Sequence, residues 1–240
     1  MKKLFPILAV LTAIFLIYAS YQALKVAPTD ALQGDVYRII YYHVPSAWTA
    51  FLLFLINFVA SIVYLIRRSE TADVVALVSA EVGVVFCTIV LVTGPIWARP
   101  VWGIWWAPGD IRLTSTLVLW LIYVSYLVLR KFSSSAQTQT MAAALAVFGA
   151  LDVPLVYFSI WFFRTQHPQP VIGGGGSMDP RMLHTLLISW MAFLCFGFLV
   201  CWSRYRLELL KREVEKREAM ESLESAGPAK ASLPLSRSSR

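Results

Sequence analysis

Six runs of apolar residues, each close to the length a helix needs to cross about 30 Å of hydrocarbon, leave this chain little choice of solvent. They lie near Leu4 to Leu24, Ser46 to Ile66, Val74 to Ile96, Ser115 to Leu129, Met141 to Phe163 and Met182 to Ser203. In lipid the backbone N–H and C=O groups must be satisfied without water, so the expected fold class is all-α, an integral membrane bundle of six transmembrane helices. Composition agrees, with 58% hydrophobic and 15% charged residues, against about half and about a quarter in soluble domains. The first run follows Lys2-Lys3 yet exceeds the ~7–15-residue apolar core of a signal peptide, so it reads as a retained helix.

Lys and Arg near the helix ends set the orientation. Lys2, Lys3, Arg67, Arg68, Arg130 and Lys131 mark one side, and Lys25, Arg38, Arg99, Arg112, Arg164 and Arg181 the other. The short loops thus balance, and the basic cluster from Arg204 to Arg217 decides, placing both termini in the cytoplasm. The net charge of +7 is then a topology signal plus a basic tail that meets membrane lipid, and it implies no nucleic-acid partner. Two domains are expected, a transmembrane domain over residues 1–203 and a tail over 204–240. In the tail, Tyr205 to Ser222 interleaves Arg and Lys with Glu208, Glu213, Glu215, Glu218 and Glu221 as a solvated helix, and beyond Gly227 the composition predicts disorder. Cys87, Cys195 and Cys201 fall within apolar runs and form no CxxC, so they read as buried small hydrophobes.

Three loops then face outward, over residues 25–45, 97–114 and 164–181, and each carries something unusual. The middle one, the start of a tryptophan-rich stretch over 97–115, places Trp97, Trp102, Trp105 and Trp106, four of the nine tryptophans, within ten positions. Such a shelf suits a membrane–water interface or the face of a large planar ligand. The first loop ends in Tyr41-Tyr42-His43-Val44-Pro45, with Pro45 as a helix-start signal, and the third contains Trp161-Phe-Phe-Arg-Thr-Gln-His167-Pro168. His43 and His167 therefore share one membrane depth on either side of the tryptophan loop. Haem is the ligand that wants this set: imidazole nitrogens for its iron, aromatic faces for its macrocycle and cations for its propionates. Arg112, Arg38, Arg99 and Arg164 are the available cations.

Trp102-Gly103-Ile104-Trp105-Trp106, Asp110 and Arg112-Leu-Thr-Ser115 resemble the tryptophan-rich "WWD" signature of membrane haem-handling proteins. The chain over residues 4–203 is similar to one branch of them, the cytochrome c maturation protein C or haem exporter protein C family. Tyr41 to Pro45, Thr93-Gly-Pro-Ile-Trp97, Asp152-Val-Pro-Leu-Val-Tyr157 and Trp161 to Pro168 carry that resemblance. It departs where Trp106-Ala-Pro108-Gly109-Asp110 replaces the further tryptophan such members carry before the aspartate. The resemblance implies a haem b platform in the bacterial inner membrane, not an enzyme. His43 and His167 would be the axial ligands and the loop, from Trp97 through Trp102, Gly103, Trp105 and Trp106 to Asp110 and Arg112, would grip the macrocycle. A periplasmic haem chaperone and an ABC-transporter complex of cytochrome c biogenesis would be its partners.

The remaining polar residues have plainer readings. Glu81 and Asp152 fall inside spans, where a charge must face the bundle interior; an interhelical contact to Asn57 or a serine is expected, a polar lining for a haem or proton path being the alternative. His184 reads as an interfacial histidine, and Gly173 to Gly176 as a flexible loop. Two other classes compete. An electron-transferring b-type cytochrome would need histidine pairs in mid-span, which three histidines do not supply. A small-solute transporter subunit would use Glu81 and Asp152 but leave the tryptophans unexplained.

Overall fold

The structure, a computed structural model, describes residues 4–133, 135–163, 165–170 and 178–225. Its helices are α1 (Leu4–Tyr21), α2 (Ile40–Arg67), α3 (Glu70–Trp102), α4 (Ile111–Phe132), α5 (Ala136–Ala150), α6 (Asp152–Phe162) and α7 (Pro180–Ser225). A π-turn at Gln22–Val26 extends α1 and a 3-10 turn at Asp35–Ile39 leads into α2. Six helical stretches are long and apolar enough to cross a membrane, as expected. Lys2, Lys3, Gly173 to Gly176 and the segment beyond Gly227 lie outside the described residues.

Several bounds differ from the sequence reading. The stretch 97–115 is not one loop: Trp97, Arg99 and Trp102 belong to the last turns of α3, which accommodates Pro95 and Pro100. The helix stops at Gly103, whose φ of 78° is left-handed and whose amide returns to the Arg99 carbonyl at 3.0 Å. The connector shrinks to residues 103–110. Helix α4 begins within the tryptophan-rich stretch, before Ser115, because Asp110 caps it, Oδ1 accepting from the amides of Arg112 at 3.0 Å and Leu113 at 3.2 Å. The fifth span is broken at Leu151. Pro154 has no N–H to continue the ladder and its ring would strike the Ala150 carbonyl, so the helix restarts at Asp152 as α6.

The core is built where small residues let helices approach. A Cβ on Gly83 would lie 2.7 Å from Phe54 Cε1, and one on Gly149 would lie 2.6 Å from Ile122 Cγ2, which fixes how closely α3 meets α2 and α5 meets α4. Phe54 stacks on Tyr123 with ring centroids 3.9 Å apart, beside buried Phe86, Leu119 and Tyr126. Asn57 donates to the Ala76 carbonyl at 2.7 Å, tying α2 to α3.

The end of the bundle opposite the tryptophans is held by charge. Asp73, 3% exposed, takes both nitrogens of Arg130 from α4 at 2.5 and 2.7 Å and Arg212 from α7 at 2.6 Å; Arg212 also meets Glu208 at 2.9 Å. Glu81, expected to meet Asn57 or a serine, is gripped instead by Arg204, at 2.8 and 2.9 Å. Lys216 meets Glu70 at 3.0 Å. Helix α7 therefore runs on past Ser203 without a break, and its charged continuation lies along α3. Removing one partner from a buried ion cluster strands the others in low dielectric, at a cost of about 3–5 kcal/mol. Asp73→Ala is expected to destabilise the chain by about that much, read as a fall in Tm in detergent. Truncation after Ser203, which removes Arg204 and Arg212, should lower Tm as well, whereas truncation after Glu218 keeps every partner and should leave it unchanged. Equal Tm in all three would dismiss the network as a stabilising element.

Candidate functional site

His43 sits in the first turns of α2, and its Nδ1 lies 2.8 Å from Thr93 Oγ1 of α3. The Thr93 hydroxyl already donates to the Ile89 carbonyl at 2.7 Å, so its oxygen accepts and His43 Nδ1 carries the proton. His167 lies in the segment after α6, its Nδ1 3.0 Å from the Pro168 carbonyl, an acceptor only. Both rings are thus fixed in the tautomer that leaves Nε2 with a lone pair, the state a metal ligand needs. Burial, reinforced by the positive charge of Arg112, pushes the His167 pKa down to about 4 against the opposing Pro168 carbonyl and Asp110 carboxylate, so the ring is neutral at physiological pH.

The two imidazole ring centroids lie 6.4 Å apart, with the ring planes inclined by 33°. An imidazole bonded to a metal at about 2.0–2.1 Å has its centre roughly 3.2 Å from the ion, so two ligands on opposite sides hold their centres about 6.4 Å apart. The observed separation matches that distance. Among the described residues no group of three or more His, Cys, Asp or Glu could hold a bare metal ion. Two trans imidazoles suit an ion whose remaining positions come already filled, as iron's do in a porphyrin.

Both histidines line a cavity of about 810 Å³ between α2, α3, α4, α6 and α7. Its walls are apolar and aromatic. Trp97, Trp102 and Trp106 line it, Trp97 meeting Trp102 edge-on at 4.9 Å and donating from Nε1 to Gln33 Oε1 at 2.8 Å. Deeper in, Trp48 and Trp190 meet edge-on at 5.1 Å, and the Trp190 Nε1 is buried with no hydrogen-bond partner among the described residues. Neither tryptophan is distinguished in the sequence from any other residue of an apolar run. Trp105 and Gly103 do not line the cavity, and Trp105 is 59% exposed.

The three described arginines separate cleanly. Arg112 lines the cavity, and its Nη1 is buried and unpartnered among the described residues, an open donor for an anionic group. Arg38 is committed elsewhere: Nη1 donates to the carbonyls of Ala23 at 2.8 Å and Ala27 at 3.0 Å, and Nε to Asp35 at 2.8 Å. Arg99 donates to the Gly103 carbonyl and does not line the cavity. Arg164 lies outside the described residues. Of the intramembrane acids, Glu81 is remote and paired, while Asp152 adjoins the lining residues Val153 and Pro154 with a buried Oδ2 that has no partner among the described residues. His184 is exposed and away from the cavity.

Asp110 is buried and touches two elements. Besides capping α4, its Oδ2 accepts from the Gln166 amide at 2.8 Å and from the Thr165 hydroxyl. Burial opposes its ionisation, but the bonds from Thr165, Leu113 and Gln166 outweigh that and hold its pKa below the usual carboxylate range.

Comparison with known proteins bears on the chain as a whole. The family model described as "Heme exporter protein C" matches residues 1–220. A protein named heme exporter protein C from Bradyrhizobium diazoefficiens is 34% identical over 223 residues, covering 92% of this chain and 84% of its own. Its Escherichia coli K12 namesake is 33% identical over 209 residues, 87% of this chain and 84% of its own. A ccmC-like mitochondrial protein of Marchantia polymorpha, named for cytochrome c biosynthesis, is 33% identical over 176 residues, 73% of this chain and 75% of its own.

Proposed function

The chain belongs to the haem exporter protein C family, and from that premise we propose that it holds haem b at the extracytoplasmic face of the bacterial inner membrane and presents it to a periplasmic haem chaperone during c-type cytochrome biogenesis. The observation that carries the reading is the imidazole pair at an aromatic cavity, ring centroids 6.4 Å apart, each Nδ1 pinned and each Nε2 without a hydrogen-bond partner among the described residues. His43 and His167 are the axial ligands, Trp97, Trp102 and Trp106 lie against the macrocycle, and Arg112 meets a propionate. Arg67, Arg68, Arg130, Lys131 and the cluster from Arg204 to Arg217 gather at the opposite end, which supports a cytoplasmic position for that end and for both termini. Haem is cargo here. The chain makes and breaks no covalent bond in it; it binds, orients and gives up. An ABC-transporter complex of the same maturation system is the membrane partner.

Each axial ligand contributes a bond that solvent replaces poorly. His43→Ala and His167→Ala are each expected to abolish the low-spin bis-imidazole absorbance spectrum and to lower haem retention on purification by tenfold or more, about 1.4 kcal/mol, while His184→Ala leaves both unchanged. Parental spectra in the first two with loss in the third would overturn the assignment.

The tryptophans divide by where they point. Trp102→Ala removes a cavity wall, a loss of about 1 kcal/mol of aromatic contact, and should weaken haem retention several-fold. Trp105→Ala removes an exposed face and should leave retention intact while slowing haem transfer to the purified chaperone. Parental transfer rates in Trp105→Ala would reduce that residue to a membrane-interface anchor.

A further inference from the structure

One carboxylate belongs to two structures at once. Through Oδ1, Asp110 caps α4, the helix that places Arg112 in the cavity wall. Through Oδ2 it accepts the Gln166 amide at 2.8 Å and the Thr165 hydroxyl, and the Thr165 oxygen in turn accepts the amide of His167 at 3.1 Å. Among the described residues no other hydrogen bond joins segment 165–170 to a helix; the remaining bond of that segment, His167 Nδ1 to the Pro168 carbonyl, is internal. Asp110 itself does not line the cavity. Its 4% exposure leaves it no route to a bound planar ligand.

We propose that Asp110 is the positioning residue for His167: its carboxylate, acting through Thr165 and the Gln166 amide, holds the second imidazole opposite His43 and touches no cargo. His43 needs no such device, because it rides on a helix and is braced by Thr93 from the neighbouring one. His167 rides on a segment with no helical ladder of its own, and among the described residues Asp110 is the one hydrogen-bonded tie between that segment and a helix. The aspartate of the tryptophan motif thereby couples the tryptophan connector to the ligand-bearing loop. This inference rests on the haem-site reading above and deepens it.

The test uses the full chain in detergent, with ferric haem titrated into haem-free protein. Asp110→Asn keeps an acceptor for the α4 amides but turns an amide N–H₂ toward the Gln166 N–H; Asp110→Ser keeps a helix cap but is too short to reach segment 165–170. Both are expected to bind haem at least tenfold more weakly and to give the same high-spin spectrum as His167→Ala, with added imidazole restoring the low-spin form in all three. Thr165→Val should be intermediate and Thr165→Ser parental. In haem-free protein the Gln166 amide should exchange with deuterium at least tenfold faster in Asp110→Asn. A low-spin spectrum and a parental exchange rate in Asp110→Asn would overturn the proposal. So would weaker binding with an unchanged spin state, the signature of a residue that contacts haem directly. If His167→Ala itself stayed low-spin, the haem-site reading would fall, and Gln166 exchange alone would still decide whether Asp110 holds the loop.

Discussion

A polar group placed between helices in hydrocarbon must find its partner inside the protein, because no water will supply one. Near each end of the bundle a buried carboxylate gathers such partners. At the arginine end Asp73 gathers Arg130 and Arg212 and so brings α3, α4 and α7 to one point. At the tryptophan end Asp110 gathers the start of α4 and the segment after α6. Between them lies apolar packing, with Phe54 stacked on Tyr123 and glycines at the closest approaches. Aromatic side chains make up much of the cavity wall near the tryptophan end. Two edge-on pairs, Trp97 with Trp102 and Trp48 with Trp190, lie in that wall.

Much of this was legible in the sequence, and for a physical reason. Spans are legible because lipid imposes length and polarity on a contiguous segment, and the histidine pair because both members abut span ends, which fixes their depth. What stayed hidden depends on partners far along the chain. Asp73 precedes an expected span by one residue and looks like an ordinary helix-start acid; its value comes from Arg212, 139 residues away. Asp110 reads as part of a motif, while its second carboxylate oxygen serves residues 55 and 56 positions on. Arg38 looked as free as Arg112. Only the fold reveals that a π-turn at Gln22–Val26 leaves carbonyls for the first to satisfy and none for the second. Trp48 and Trp190 went unnoticed because a tryptophan inside an apolar run carries no signal of which way it faces.

The helix bounds that moved did so through caps and breaks, not through hydropathy. Gly103 stops α3, Asp110 starts α4, and Pro154 divides the fifth span. Each lies within a few residues of the cavity. The break before α6 sets Val153, Pro154 and Phe158 against the cavity, where a continuous helix would carry them on along the axis of α5.

Helix α3 is 33 residues long, about 50 Å at 1.5 Å per residue, against a hydrocarbon core of about 30 Å. It is anchored at its arginine end by Asp73 and Glu81, and it carries Thr93, Trp97 and Trp102 toward the other. Such a rod works as a ruler: the height at which the tryptophans and the brace for His43 stand above the bilayer midplane is counted off in helical turns from a charge cluster. Inserting or deleting one residue between Glu81 and Thr93 would rotate that whole end by about 100° and shift it by about 1.5 Å. The tryptophan-bearing face is thus set to a fixed height and bearing by the length of a single helix.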